Sequence, residues 1–413
     1  MKSAITTPIP SSSPAGADST HALSGSYNLS VGYLRAFITL LVIAHHAVLA
    51  YHPYVPPPLS SLLAQPRSWQ WSPVVDAQRW TGFSFFVGFN DIFFMSLMFF
   101  LSGLFVYKSL ERKGVKTFLR DRLLRLGLPF VVAAVVVAPL AYYPSYLQTS
   151  SSTGFAGFWQ QWTHLGMWPA GPAWFIWLLL AFDVVAAIMF ALAPNLVTWL
   201  GRVALGASVR PVLLFLLVVG ASAVTYIPMA ARFTAERWSA WGLFAFQTSR
   251  LLHYFVYFLI AIAAGATAMP RGLFASDGKL ARRWPLWTSA MAAIYFALAA
   301  AFIAMLSGAG KSLPWTLLLG GLWVLSCAAS CFAFMSLFSR FATRRAAAFD
   351  SLTANAYGMY LIHYAFVSWL QYGLLRVAMP GLAKGTLVTL AAIALSWATI
   401  SALRKIPAVA RVI

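Results

Sequence analysis

Cysteine is almost missing from this 413-residue chain, which has only Cys327 and Cys331, four apart in one apolar run. Two thiols build no disulfide framework and no metal site, and in that setting they read as small buried hydrophobes. Charge is nearly as scarce. Charged residues make up 9% of the chain and only nine residues are acidic, against about 25% charged in soluble domains, so an ordinary water-soluble fold is excluded. No apolar stretch with a basic lead comes before residue 29. A cleavable signal peptide is therefore not expected, and the first apolar helix is left to serve as the insertion signal. Internal repeats of the kind that mark inverted-repeat transporters are not evident either.

What the chain has in quantity is apolar surface. Hydrophobic residues amount to 61%, in recurrent runs of about 20, each long enough to cross a bilayer. The fold class is all-α and polytopic, with one integral domain over residues 28–405. The Ser-, Thr- and Pro-rich segment 1–27 reads as disordered, and 406–413 as a short cytoplasmic tail. Ten crossings are predicted, at about 30–51, 88–107, 124–144, 172–194, 211–230, 251–268, 285–307, 313–338, 355–377 and 384–403. The net charge of +20 does not point to nucleic acid, because Lys and Arg sit in short loops between apolar runs. Twenty of the 29 basic residues lie in alternate loops, led by Lys108–Arg125, eight lie in the other set, and Arg35 lies within a span. The positive-inside rule then puts both termini in the cytoplasm. The outer segments 52–87, 145–171 and 231–250 are rich in Trp, Tyr, Pro and Gln. They suit the membrane interface and equally the wall of a pocket for a sugar-like acceptor.

An ionisable residue at membrane depth costs roughly 2.5–3.5 kcal/mol on insertion scales, which makes each one a functional candidate. Arg35 and His46 share the first apolar run. Eleven residues place them about 16 Å apart along a helix axis, and eleven steps of about 100° return to one face. His45 points about 100° away and reads as structural or as a partner behind His46. Asp183 lies mid-run in the fourth helix and needs a partner or a proton. Such buried groups suit an enzyme; the alternative is a proton-coupled transporter or flippase built on the same Arg, His and Asp.

Five segments follow one another between residues 33 and 364. They are Arg35 with His46 after ten intervening residues; Asn90-Asp-Ile-Phe-Phe-Met-Ser-Leu-Met-Phe-Phe-Leu-Ser-Gly-Leu-Phe105; Arg122-Leu-Leu-Arg125 with Leu128-Pro129; Gly171-Pro-Ala-Trp-Phe175; and Asn355-Ala-Tyr-Gly-Met-Tyr-Leu-Ile-His363. In this order they resemble the integral-membrane acyltransferase 3 family, which O-acylates glycans. The doubled His45-His46 and the Tyr51-His-Pro53 that follows resemble its periplasmic-glucan branch.

The resemblance implies a bacterial inner-membrane O-acyltransferase. It would move an acetyl or succinyl group from cytoplasmic acyl-CoA, a co-substrate, to a hydroxyl of a glycan or glucan at the outer face, with no metal and no tightly bound cofactor. Attack of a hydroxyl on a thioester needs a base titrating near neutrality, which suits His46. Arg35, nearer the cytoplasm, would hold the phosphates or polarise the pantetheine arm. Asp91 is expected either to orient His46 and stabilise its imidazolium or to act only as a helix N-terminal charge. Arg122 and Arg125, three apart on one helical face, form an expected phosphate clamp for CoA or a plain positive-inside stop. His253, His363 and Asp183 are substrate-binding candidates. Ser102-Gly103 reads as a close helix contact rather than a nucleophile, so transfer is expected to be direct.

Overall fold

The computed structural model describes residues 29–54, 61–64, 70–149, 154–193, 210–235, 237–266, 273–309 and 312–413. The segment 1–27, and with it the expectation of disorder there, lies outside the described residues, as do Arg67, Trp69, Arg202, Arg271 and Lys311. Ten helices carry the fold: α1 (Leu29–Val48), α2 (Phe83–Gly103), α3 (Val106–Thr149), α4 (Trp174–Leu192), α5 (Pro211–Phe233), α6 (Leu251–Gly265), α7 (Trp284–Ala304), α8 (Leu313–Phe341), α9 (Ala347–Gly373) and α10 (Gly381–Leu403).

Among the described residues nine helices are long and apolar enough to cross a membrane, all of these except α9. Asp350, Asn355, His363 and Gln371 make α9 too polar for that measure, yet it runs parallel to α1 along its whole length. At one end the Tyr33 hydroxyl donates to Asp350 at 2.9 Å. At the other, the Gln371 amide donates to the carbonyls of His46 and Ala47 at 3.0 and 2.9 Å. Wherever α1 crosses, α9 crosses with it. Next to it α10 is antiparallel to α9, with Trp397 donating to Ser351 at 2.9 Å and Ile400 against Gly358. The start of α1 and the end of α10 therefore lie on one face, here the Arg35 face, opposite the His46 face. This parity is the one expected from the loop charges.

One expectation is overturned. The basic segment Lys108–Arg125, read as a loop, is helical, because Lys, Arg, Glu and Leu are good helix formers whatever their charge. Gly114, at φ 72°, breaks its direction; Lys113 and Asp121 form an ion pair across the break.

Deeper in, α3 is broken again, at prolines and at π turns over Leu123–Gly127 and Ala133–Val137. Pro129 and Pro144 have no N–H for the carbonyls of Arg125 and Leu140. A π turn over Ala133–Val137 bonds the Ala138 amide to the Ala133 carbonyl, which takes the usual partner from Ala134. Hydrocarbon offers no water to replace these bonds, so the protein must. The Tyr357 hydroxyl donates to the Arg125 carbonyl at 2.6 Å, the Trp168 indole to Ala134 at 2.9 Å and the Trp369 indole to Leu140 at 3.0 Å. Two of these three donors are on α9.

Outside the helices, a small antiparallel hairpin pairs Trp238–Trp241 with Phe244–Gln247, turning at Gly242 with φ 57°. It lies in a segment read from its Trp content as interfacial, and Trp177 of α4 donates to its Ala245 carbonyl at 2.9 Å. The fold class stays all-α. Between α2 and α6 the backbones nearly touch: a Cβ on Gly103 would lie 2.5 Å from the Phe258 carbonyl oxygen, and one on Gly265 1.9 Å from that of Leu104. Gly265→Ala should thus cost about 1–3 kcal/mol. Thermal unfolding in detergent checks this, with Gly220→Ala, where an added Cβ meets nothing within 4 Å, expected to unfold like the wild type.

Candidate active site

At the Arg35 face, Arg35 and Arg125 are both exposed. The Arg35 charge acts on the hydroxyl of Tyr357, the group that caps the Arg125 carbonyl. Arg35, Tyr357 and the Arg125 backbone thus mark one end of the packing seam between α1, α9 and α3.

Three separate sequence segments meet at the other end of that seam. His46 is half-buried, with the ring of Tyr364 at 4.9 Å and 71°, that of His363 at 5.4 Å and 37°, and that of His45 at 5.4 Å and 83°. The Gly171-Pro172 turn packs on the same α9 residues. Gly171 has φ 56°, and a Cβ there would come within 3.2 Å of the Tyr364 ring, so the position demands glycine twice over. The Tyr360 hydroxyl donates to the Pro172 carbonyl. The rim is closed by the strand of chain after residue 69: the hydroxyl of Tyr142 donates to the Gln70 carbonyl, and that of Tyr364 reaches the carbonyls of Gln70 and Trp71 at 3.4 Å. Just past α1, burial and the Arg79 guanidinium hold the His52 imidazole below its usual range.

The remaining sequence candidates are placed elsewhere. Asp91 is held by Arg250, whose guanidinium reaches its carboxylate at 2.6 Å and its carbonyl at 3.0 Å. The imidazole that feels the Asp91 charge is that of His45 rather than His46. Arg250 is itself buried, over the Trp323 ring at 5.1 Å. Asp183, 1% exposed, finds the partner its depth demands in Arg122, whose Nε lies 3.2 Å away. Arg122 and Arg125 do not act as the expected one-faced pair: Arg122 turns in to Asp183 and the Phe118 ring, while Arg125 is exposed. The π turn over Leu123–Gly127 explains this, since its wider turn rotates residues three apart away from a common face. His253 sits in a different cluster, with Ser96 Oγ at 3.0 Å and Cys327 Sγ at 3.6 Å, among Tyr226, Tyr257 and Trp323.

Sequence reading passed over Tyr357, Tyr360, Tyr364 and Gln371. Their signal was present, because spacings of three, four and seven put these hydroxyl and amide groups on one stripe of α9.

A family model for the acyltransferase 3 family, described as an acyltransferase domain, matches residues 28–401. The chain belongs to the acyltransferase 3 family. No curated protein and no solved structure matches it. Membership of an acyltransferase family favours the enzyme over the transporter reading. In this acyltransferase, Asp91 holds Arg250 in place. Asp91→Ala should lower stability by about 2 kcal/mol, below the range for fully buried pairs because Asp91 is partly open. Adding Arg250→Met should restore most of the loss. Unfolding of the single and double variants in detergent checks both.

Proposed function

We propose that this acyltransferase moves an acetyl or succinyl group from acyl-CoA at the Arg35 face to a hydroxyl of a glycan, most simply a periplasmic glucan, at the His46 face. The carrying observation is that one helix, α1, bears both groups, about 16 Å apart by helix rise, and that each stands at one end of a seam walled by α9. The loop charges support a cytoplasmic Arg35 face; on this reading the membrane is the bacterial inner membrane and the acceptor is periplasmic.

In the proposed reaction Arg35, with Arg125 beside it, holds the phosphates of CoA, and the pantetheine arm extends along the seam. His46 takes the proton of the acceptor hydroxyl as its oxygen attacks the thioester carbonyl carbon. A C–O bond forms and the C–S bond breaks. The thiolate leaves with the proton that His46 returns, giving free CoA thiol and an ester, without change in net charge. Trp71, exposed on the rim that Tyr364 and Tyr142 hold in place, offers an aromatic face of the kind a sugar ring stacks on.

The test is thioester cleavage by purified protein in detergent with acetyl-CoA or succinyl-CoA and a periplasmic glucan extract. His46→Ala should lower turnover by about 100- to 10,000-fold. Arg35→Ala should act chiefly through the KM for acyl-CoA. Acyl groups should appear on the glucan; thioester turnover without acylated glucan would overturn the acceptor, and no turnover by folded wild type would overturn the donor.

A further inference from the structure

A base that accepts a proton at Nε2 carries its own hydrogen on Nδ1, and working bases are oriented by a group that accepts that hydrogen. Nδ1 of His46 is buried without a hydrogen-bond partner. Asp91, the carboxylate suggested for this role by the sequence, is held by Arg250. The ring that faces His46 with matching chemistry is His363. Its Nδ1 lies 2.8 Å from the Tyr360 carbonyl oxygen, which only accepts, so the hydrogen of neutral His363 is on Nδ1 and Nε2 is a bare lone pair. That Nε2 is likewise buried and unpartnered. A donor and an acceptor, each without a partner, thus sit on rings whose centres are 5.4 Å apart. An in-line imidazole–imidazole hydrogen bond of about 2.9 Å sets ring centres roughly 5 Å apart, so ring rotation closes the bond without moving either helix.

Resting on the reading of His46 as base, we infer that His363 is its positioning residue: His363 Nε2 accepts the Nδ1–H of His46, which leaves His46 Nε2 bare toward the acceptor hydroxyl. The surroundings fix the backbone that carries the two rings. Gln371 holds the His46 and Ala47 carbonyls, and the Tyr360 hydroxyl is anchored on Pro172. A neutral imidazole also does at membrane depth what a carboxylate does only at high cost.

The experiment compares full-length wild type, His363→Phe and His363→Gln with acetyl-CoA and the glucan extract, and follows His46 by nitrogen NMR of histidine-labelled protein. His363→Phe should lose about 100-fold in kcat with an unchanged KM for acetyl-CoA. His363→Gln, whose side-chain carbonyl accepts the same hydrogen, should keep most of the rate. The His46 hydrogen should be on Nδ1 in wild type and His363→Gln, and shared between both nitrogens in His363→Phe. Equal rates in the two variants, or a His46 tautomer on Nε2 in wild type, would overturn the assignment. A wild type without turnover would instead defeat the proposed reaction, and the tautomer measurement would still decide the role of His363.

Discussion

At membrane depth a backbone carbonyl that loses its helical partner must find another within the protein. The organisation of this molecule follows from how it meets that demand. α3 is interrupted by prolines and π turns, and the carbonyls set loose are answered by Tyr357 and Trp369 of α9 and by Trp168. The same α9 answers the last carbonyls of α1 through Gln371. One polar-striped helix therefore fastens the broken helix to the one that bears Arg35 and His46, and the seam between them is the consequence.

Charge is used with similar economy. Three carboxylates among the described residues are matched across the fold: Asp183 with Arg122, Asp91 with Arg250, and Asp76 with Lys384, a pair at 2.6 Å whose side chains are 2% and 0% exposed. Removing one member of such a pair strands the other, so these residues are committed to holding helices and strap in place. The imidazoles of His46 and His363 are tied to no such ion pair, and that is where the acyl-transfer chemistry is assigned.

Much of this was legible in the chain. The ten apolar runs, their parity and the alignment of Arg35 with His46 follow from hydropathy, loop charge and helical period, all of which are local. Four of the segments named from the sequence do lie along the seam. The pairings were not legible, because Asp91 and Arg250 are 159 residues apart and no spacing rule reaches across helices. The split of Arg122 from Arg125 was hidden for a different reason: a π turn changes the period on which a one-face reading depends. The Trp238–Gln247 hairpin was masked by aromatic residues that suit an interface equally well.

The central claim is that donor and acceptor are served from opposite faces by one helix. Proteoliposomes of known orientation, with labelled acetyl-CoA on one side and glucan on the other, test it most directly. The account predicts labelled glucan only when acetyl-CoA bathes the Arg35 face and glucan the His46 face. Transfer that requires both substrates on the same side would contradict it.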